Sequence, residues 1–388
     1  MNFVNMLMEL TKEYESPSSF WKWSAYAAIA ATVRNNVYFQ HGLGRMYPNI
    51  YTLLLADSAE SRKDAPMRLA SELLRGVGNT KVIEGRSTHQ GIADALSYDV
   101  ANKATGVAIK GGCAIVMGPE FSAAFVTDPS LISVLTDWYD YRDIDYINLK
   151  MGKTVIKDRC INVFAASNET LLKSVYTESA VYGGLIRRTF FIKPDEIRPP
   201  NSLFEMQPYD KKPLVEALKS ISQMKGQVII EKEAIKIYND WYYNLYRSYK
   251  VSGDKTGVLQ SLHTSALKLA IIKAVDLLQL IITKEVIEES INEVDALKAN
   301  YRSYSMGVGR SDLGEITKII LMLLFQAPNF KLTRRAILQT LWSDVSAEDL
   351  DKVFATLQQG GLVEVSTGSN GSEPKYILTS VALNQLKG

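Results

Sequence analysis

The stretch Leu53–Pro66, LLLADSAESRKDAP, decides how this chain is read. An apolar run, Ile50–Leu55, enters a short charged loop, and helical spacing resumes over Met67–Arg75 before Gly76 and Gly78. Strand, turn and helix in that order make the place where a phosphate-binding loop sits. Such a loop works because successive backbone N–H groups turn inward on phosphate oxygens. A lysine reaches the terminal phosphates, and the helix start adds partial positive charge. Lys63 stands where that lysine belongs, with Ser58, Ser61, Arg62 and Asp64 around it as candidate nucleotide-binding residues. The glycine pair and the Ser or Thr that would hold Mg²⁺ are missing. Taken alone, the stretch therefore also fits a charged turn joining a strand to a helix.

Working outward, further short apolar runs read as strands: Lys81–Glu84, Gly112–Met117, Cys160–Ala165 and Arg188–Ile192. Helical patterns, including His89–Asn102, alternate with them, which predicts an α/β domain with a largely parallel central sheet ending near Pro199-Pro200. Two of these strands end in polar groups. GGCAIVMGPEFSAAF leads to Glu120, and a carboxylate at a strand's C-terminal tip is where Mg²⁺ and an attacking water are positioned. CINVFAASNET leads to Asn168, which would orient water near a terminal phosphate. VYGGLIRRTFFI sets Arg187 and Arg188 immediately before a strand, where they would neutralise phosphate charge within one subunit or across to a neighbour's nucleotide.

Composition sets the bounds. At 388 residues the chain has room for two or three domains, and 46% apolar with 22% charged residues predicts folded, globular structure. Net charge is 44 − 42 = +2, so any basic surface is local. Two cysteines, Cys113 and Cys160, form no disulfide framework and suit a reducing cytoplasm. The amino terminus lacks a cleavable signal pattern, and the longest apolar runs are too short to span a bilayer. The expected organisation is an N-terminal helical segment (1–40), the α/β core (41–205), a helical lid region (206–310) and a C-terminal domain (311–388). In the last, helices over Leu313–Phe325, Thr333–Leu341 and Ser346–Gln359 precede a hairpin, which is the winged-helix plan.

The order strand–loop–Lys63, strand–Glu120, strand–Asn168 and Gly-Gly-x-x-Arg187 resembles AAA+ P-loop ATPases. More narrowly it resembles the helicase-like ATPases of phages, prophages and other mobile elements, including primase-helicases. The narrower likeness rests on FWKWSAYAAIAATV, on YPNIYTLLLADSAESRKDAP and on LISVLTDWYDYRD; the family resemblance covers about Ser16–Pro199 and, weakly, the stretch LHTSALKLAII. In that group the loop commonly ends in an Arg-Lys pair, as SRKDAP does here. The resemblance implies an AAA+-like P-loop core with a helical lid, with ATP and Mg²⁺ as cofactors. It also implies a homo-oligomeric ring such as a hexamer, acting on nucleic acid, single-stranded DNA above all, alongside replication proteins. Lys63 with Arg62 would hold the β/γ-phosphates, Glu120 would activate water and Asn168 would sense the γ-phosphate. Arg187 or Arg188 would complete the site, one of them in trans. Asp64 in place of a small residue, the absent loop glycines and Pro119 beside Glu120 depart from the pattern. They leave open a second reading, a non-hydrolysing DNA-binding or scaffold protein that keeps the fold.

Nucleic-acid contacts have two candidate sources. YINLKMGKTVIKDR alternates like a hairpin turning at Met151-Gly152, with Lys150, Lys153, Lys157 and Arg159 on it. In ring helicases of this order such a hairpin points into the pore, although a solvated basic hairpin reads the same. In the C-terminal domain, Glu348, Asp349 and Asp351 make the third helix a poor phosphate reader. Arg334, Arg335 and Lys375 supply the alternative surface, and winged helices also serve protein contacts. His41, His89 and His263 have no metal-ligand spacing.

Overall fold

The computed structural model describes residues 2–42, 44–56, 61–85, 88–97, 100–101, 108–109, 112–120, 128, 130–140, 144–148, 152–156, 159–169, 172, 184–199, 210–252, 257–305, 313–341, 345–366 and 374–387. The chain divides into two compact units, Met1–Ser305 and Met306–Gly388.

The first unit opens with α1 (Phe3–Leu10), α2 (Ser18–Val33), β1 (Val37–His41), β2 (Gly44–Met46), β3 (Tyr51–Leu55), α3 (Asp64–Val77), β4 (Lys81–Glu84) and α4 (His89–Leu96). It continues through β5 (Val100–Ala101), β6 (Ala108–Ile109), β7 (Cys113–Gly118), α5 (Ser130–Tyr139), β8 (Ile144–Asn148), β9 (Gly152–Ile156), β10 (Cys160–Ser167) and β11 (Thr189–Ile192). It closes with α6 (Lys212–Ser222), β12 (Gly226–Ile230), α7 (Lys232–Ser252), α8 (Val258–Asp276), β13 (Ile281–Ile282), α9 (Lys284–Ala296) and α10 (Lys298–Ser305).

The central sheet has the order β11-β3-β10-β7-β4, with every pairing parallel. β3, β7, β10 and β11 are buried along their whole length, which is why they read as continuous apolar runs without alternation. β3 connects to β4 at the far edge, whereas β4, β7 and β10 lead back step by step and β11 lands beyond β3. Right-handed crossovers then put α3 on one face and the helices of the return path on the other. The alanine-rich α2 is buried on nearly every side, packing against α1, α3, α6 and α8 as well as β3 and β10. Small side chains allow that close approach.

The helices expected from sequence run too long in two places. Val37–Gln40 is strand, because Val37, Tyr38 and Phe39 pair in parallel with Gly226, Gln227 and Val228 of β12. The helix from His89 stops at Leu96, and Val100–Ala101 pairs with Ala108–Ile109 instead. The region after Lys212 is helical but carries β12 and β13, which join β1 and β2 in a second, four-stranded sheet. Segments from the N-terminal helical part, the core and the lid region thus belong to one compact unit.

Buried charge ties the helices of this unit together. One Glu293 carboxylate oxygen accepts from Lys22, Tyr26 and Lys273, each at 3.1 Å, joining α2, α8 and α9. Asp276, at the end of α8, is 5% exposed and accepts the Val4 N–H at the start of α1, 3.2 Å away. Burial pushes its carboxyl up to about 6. An acid raised in the folded state is bound to its proton more tightly there, so stability rises as pH falls from about 6 toward the unfolded value. Above that window the folded chain carries a desolvated charge. Asp276→Asn keeps the oxygen acceptor and is expected to flatten this part of the pH–stability profile. It should also raise unfolding free energy at pH 8 by on the order of 2 kcal/mol, read by urea titration at several pH values.

The second unit runs α11 (Leu313–Gln326), β14 (Lys331–Thr333), α12 (Arg334–Thr340), α13 (Ala347–Gln359), β15 (Val363–Ser366), β16 (Lys375–Leu378) and α14 (Ser380–Lys387). The helices and hairpin fall where the sequence puts them, but the sheet has three antiparallel strands, β14-β16-β15. Thr333 and Ser346 cap α12 and α13 through their hydroxyls. Ile320, Leu324, Ile337, Leu350, Phe354 and Leu378 form its core.

Candidate functional site

β3 ends at Leu55, and Ala56 extends the ladder by one bond, donating its N–H to Ser167 O at 3.3 Å. Ser58 lies outside the described residues. Beyond it Ser61 is buried, Arg62 has φ +43°, and Lys63 takes helical geometry just ahead of α3. The Lys63 side chain is buried and turns back on its own loop, its Nζ donating to Ala56 O at 3.0 Å. The ammonium is thereby held against the carbonyl just past the end of β3. No side chain caps α3; in its first turn Ala65 N–H donates to Arg62 O at 3.1 Å and Pro66 has no N–H to offer. Asp64 sits exposed in the first helical turn.

Arg62 does not share this position. Its Nε donates to Glu15 Oε2 at 2.8 Å, and the guanidinium is mostly solvent-exposed. With its guanidinium on Glu15, Arg62 does not join Lys63 at Ala56 O. The φ of +43° at Arg62 is where glycine is at ease, and an arginine there costs roughly 1 kcal/mol. A residue other than glycine thus adopts the backbone turn that a phosphate loop needs immediately before its lysine.

Glu120 and Asn168 stand on the same edge. β3, β10 and β7 are adjacent in the sheet and parallel, so the residues just after each strand gather at the carboxyl edge. Glu120 is exposed, two residues past Gly118, and Asn168 is partly buried directly after Ser167. The Asn168 carbonyl accepts from Leu172 N at 2.9 Å, which begins the next turn. With strands about 4.8 Å apart, Lys63, Asn168 and Glu120 arise from a front roughly 10 Å wide.

Arg187 and Arg188 lie at the opposite end. They form a single 3₁₀ turn ahead of β11, whose Thr189 pairs with Tyr51, the first residue of β3. The length of β3 separates them from Lys63, roughly 16 Å at the usual rise per residue. The two arginines and Lys63 thus stand at opposite edges of the sheet. Arg188 donates to Asp140 Oδ2 and to Gly184 O, both at 3.1 Å. Gly184 has φ +92°, and an added Cβ would meet Arg188 Nη1 at 2.7 Å, so glycine is required there. Both arginines line a cleft of about 320 Å³ with Tyr139, Gln260, Ser261 and His263.

Behind that cleft sits a residue that motif and spacing do not single out. Lys268 is 4% exposed, donating to Asn49 O at 2.8 Å and Asn49 Oδ1 at 2.7 Å, with its Nζ 3.9 Å from the Tyr139 ring centre. Burial pushes its ammonium down to about 7. The one signal for it in the sequence is a lone lysine inside the apolar run LHTSALKLAII.

The basic hairpin exists as β8 and β9, with Asn148 paired to Gly152, so Gly152 belongs to the strand and not to the turn. Lys150, Met151 and Lys157 lie outside the described residues, and Lys153 is in β9 opposite Ile147. Arg159 is not on the hairpin's surface. It is 2% exposed and donates to the carbonyls of Asp137 and Asp140 at the end of α5. In the second unit Arg334 grips Asp351 with two bonds of 2.9 Å, which neutralises it as a phosphate contact. Arg335 and Lys375 are exposed.

His89 meets Asp128 at 2.6 Å and Ser130 at 2.9 Å, both on Nδ1. A serine–histidine–aspartate relay needs the serine on the other nitrogen, so this cluster joins α4 to α5 and performs no such chemistry. Among the described residues no His, Cys, Asp and Glu cluster could hold a metal ion, and no helix is long and apolar enough to cross a membrane. A scan of the chain against protein-family models returns no match, and a search of curated proteins returns none either.

Proposed function

We propose that the chain is an AAA+-like P-loop ATPase, a helicase-like motor of a phage or other mobile element that works as a ring on nucleic acid. The observation that carries this reading is the loop after β3, where Lys63 is folded back onto Ala56 O at the uncapped start of α3. Lys63 would exchange that carbonyl for the β/γ-phosphates. Glu120 would take a proton from the attacking water, and Asn168 would orient that water. ATP with Mg²⁺ would supply the phosphoryl group. Among the residues that follow the strands at the carboxyl edge, Glu120 is the carboxylate that would hold the ion.

The arginines at the amino edge support a ring. They stand at the edge of the sheet opposite Lys63, and a head-to-tail neighbour would bring its carboxyl edge to their cleft. Wild-type protein should therefore turn over ATP only with Mg²⁺, and faster with single-stranded DNA. Mixing wild type with a variant carrying both Arg187→Ala and Arg188→Ala should lower the rate more than dilution does. A rate that falls only in proportion to the wild-type fraction removes the trans role. Absent turnover with intact ATP binding favours the second reading, a non-hydrolysing DNA-binding or scaffold protein that keeps the fold. Asp64 occupies the first turn where a Mg²⁺-binding hydroxyl would stand, and that favours this second reading too.

A further inference from the structure

The residue before Lys63 is held in its left-handed turn from outside the loop. Ser16 is 1% exposed, and its hydroxyl donates to Arg62 O at 2.9 Å. Its neighbour Glu15 takes the Arg62 guanidinium at 2.8 Å. Backbone and side chain of one residue are thus gripped by two consecutive residues of the α1–α2 connection. That connection is itself anchored: Arg198 Nη1, beyond β11, donates to Thr11 O at 2.9 Å and Tyr14 O at 3.1 Å. Arg198 Nε in turn donates to Glu196, whose carboxylate caps Ser18 at the start of α2.

From this we infer that Glu15 and Ser16 are positioning residues of the nucleotide site, supplying by tertiary contact the loop conformation that a glycine would supply by itself. The inference rests on the nucleotide reading of the loop. An arginine at φ +43° reverts to the ordinary region when released, because its Cβ crowds the following carbonyl. Reversion would swing the Lys63 N–H and the start of α3 away from the phosphates. The clamp removes that alternative, so Arg62 and the Lys63 N–H are set in place before nucleotide arrives. Neither residue touches the phosphates; both act through Arg62.

The test is a cycle of variants in the full chain, with Mg²⁺-ATP affinity and unfolding free energy measured on each. Ser16→Ala should weaken Mg²⁺-ATP binding about fivefold, the worth of one hydrogen bond, and Glu15→Gln by a smaller factor. Whatever affinity Arg62→Gly has alone, adding Ser16→Ala to it should change that affinity less than about twofold, since glycine takes the turn without help. Equal losses from Ser16→Ala with arginine or glycine at the position overturn the inference, because a merely structural role is indifferent to residue 62. If the wild-type chain binds no Mg²⁺-ATP, the nucleotide reading has failed. The conformational clamp is then decided by unfolding, where Ser16→Ala must cost less in the Arg62→Gly background than in wild type.

Discussion

Lys63→Ala is expected to weaken Mg²⁺-ATP binding at least about 100-fold while leaving the chain folded. A charge-assisted bond to phosphate contributes roughly 3 kcal/mol, and about 1.4 kcal/mol is tenfold in affinity. Arg62 cannot substitute, because its guanidinium is on Glu15. The arginine pair cannot substitute either, because it lies at the other edge of the sheet. What the folded protein loses is one bond to Ala56 O, and water can take its place there. Circular dichroism and the thermal midpoint should therefore change little. Calorimetric titration with Mg²⁺-ATP reads the affinity. Unchanged affinity in a folded variant would make Leu53–Pro66 a charged turn and nothing more.

Arg159→Ala should have the largest effect on stability, roughly 3–5 kcal/mol, measured by urea unfolding of the first unit. The side chain is buried, and its truncation leaves a cavity lined by carbonyls that have lost their donor. A cation at a helix C-terminus also opposes the exposed negative end of α5, and that contribution disappears with it. The sequence pattern assigns this arginine to the basic hairpin, and the two assignments give opposite results. A backbone-binding arginine would leave stability alone and reduce the salt dependence of DNA binding by about one unit of slope. Burial predicts the reverse: a destabilised protein whose folded fraction keeps its slope. Stability within about 0.5 kcal/mol of wild type would contradict the assignment to the core.

Four strands of the central sheet, β3, β7, β10 and β11, are legible in the sequence because each is buried along its whole length, whereas the edge strand β4 is only partly buried. Lys81–Glu84 matches its apolar run end to end, and β3, β7, β10 and β11 differ from theirs by one or two residues at an end. Continuous apolar runs leave no other place to go. The placement of Lys63, Glu120 and Asn168 after strands, and of Arg187 and Arg188 before one, is equally visible. In a parallel sheet that order alone separates them onto two edges. β1, β12 and β13 escape a reading by pattern because the β1–β12 and β12–β13 pairings join residues far apart in the chain, where local pattern carries no information.

Local composition, then, determined the α/β class, the loop after β3 and the helix–hairpin order of the last unit, because apolar period and turn residues act over a few neighbouring positions. Tertiary packing decided which charges remain available. Arg62, Arg159, Arg334 and Lys268 all look alike as basic letters. Packing places one on Glu15, one under α5, one on Asp351 and one between Asn49 and Tyr139. A long cationic side chain reaches whichever acceptor the fold brings near, and the desolvation cost of leaving it unpaired enforces the choice.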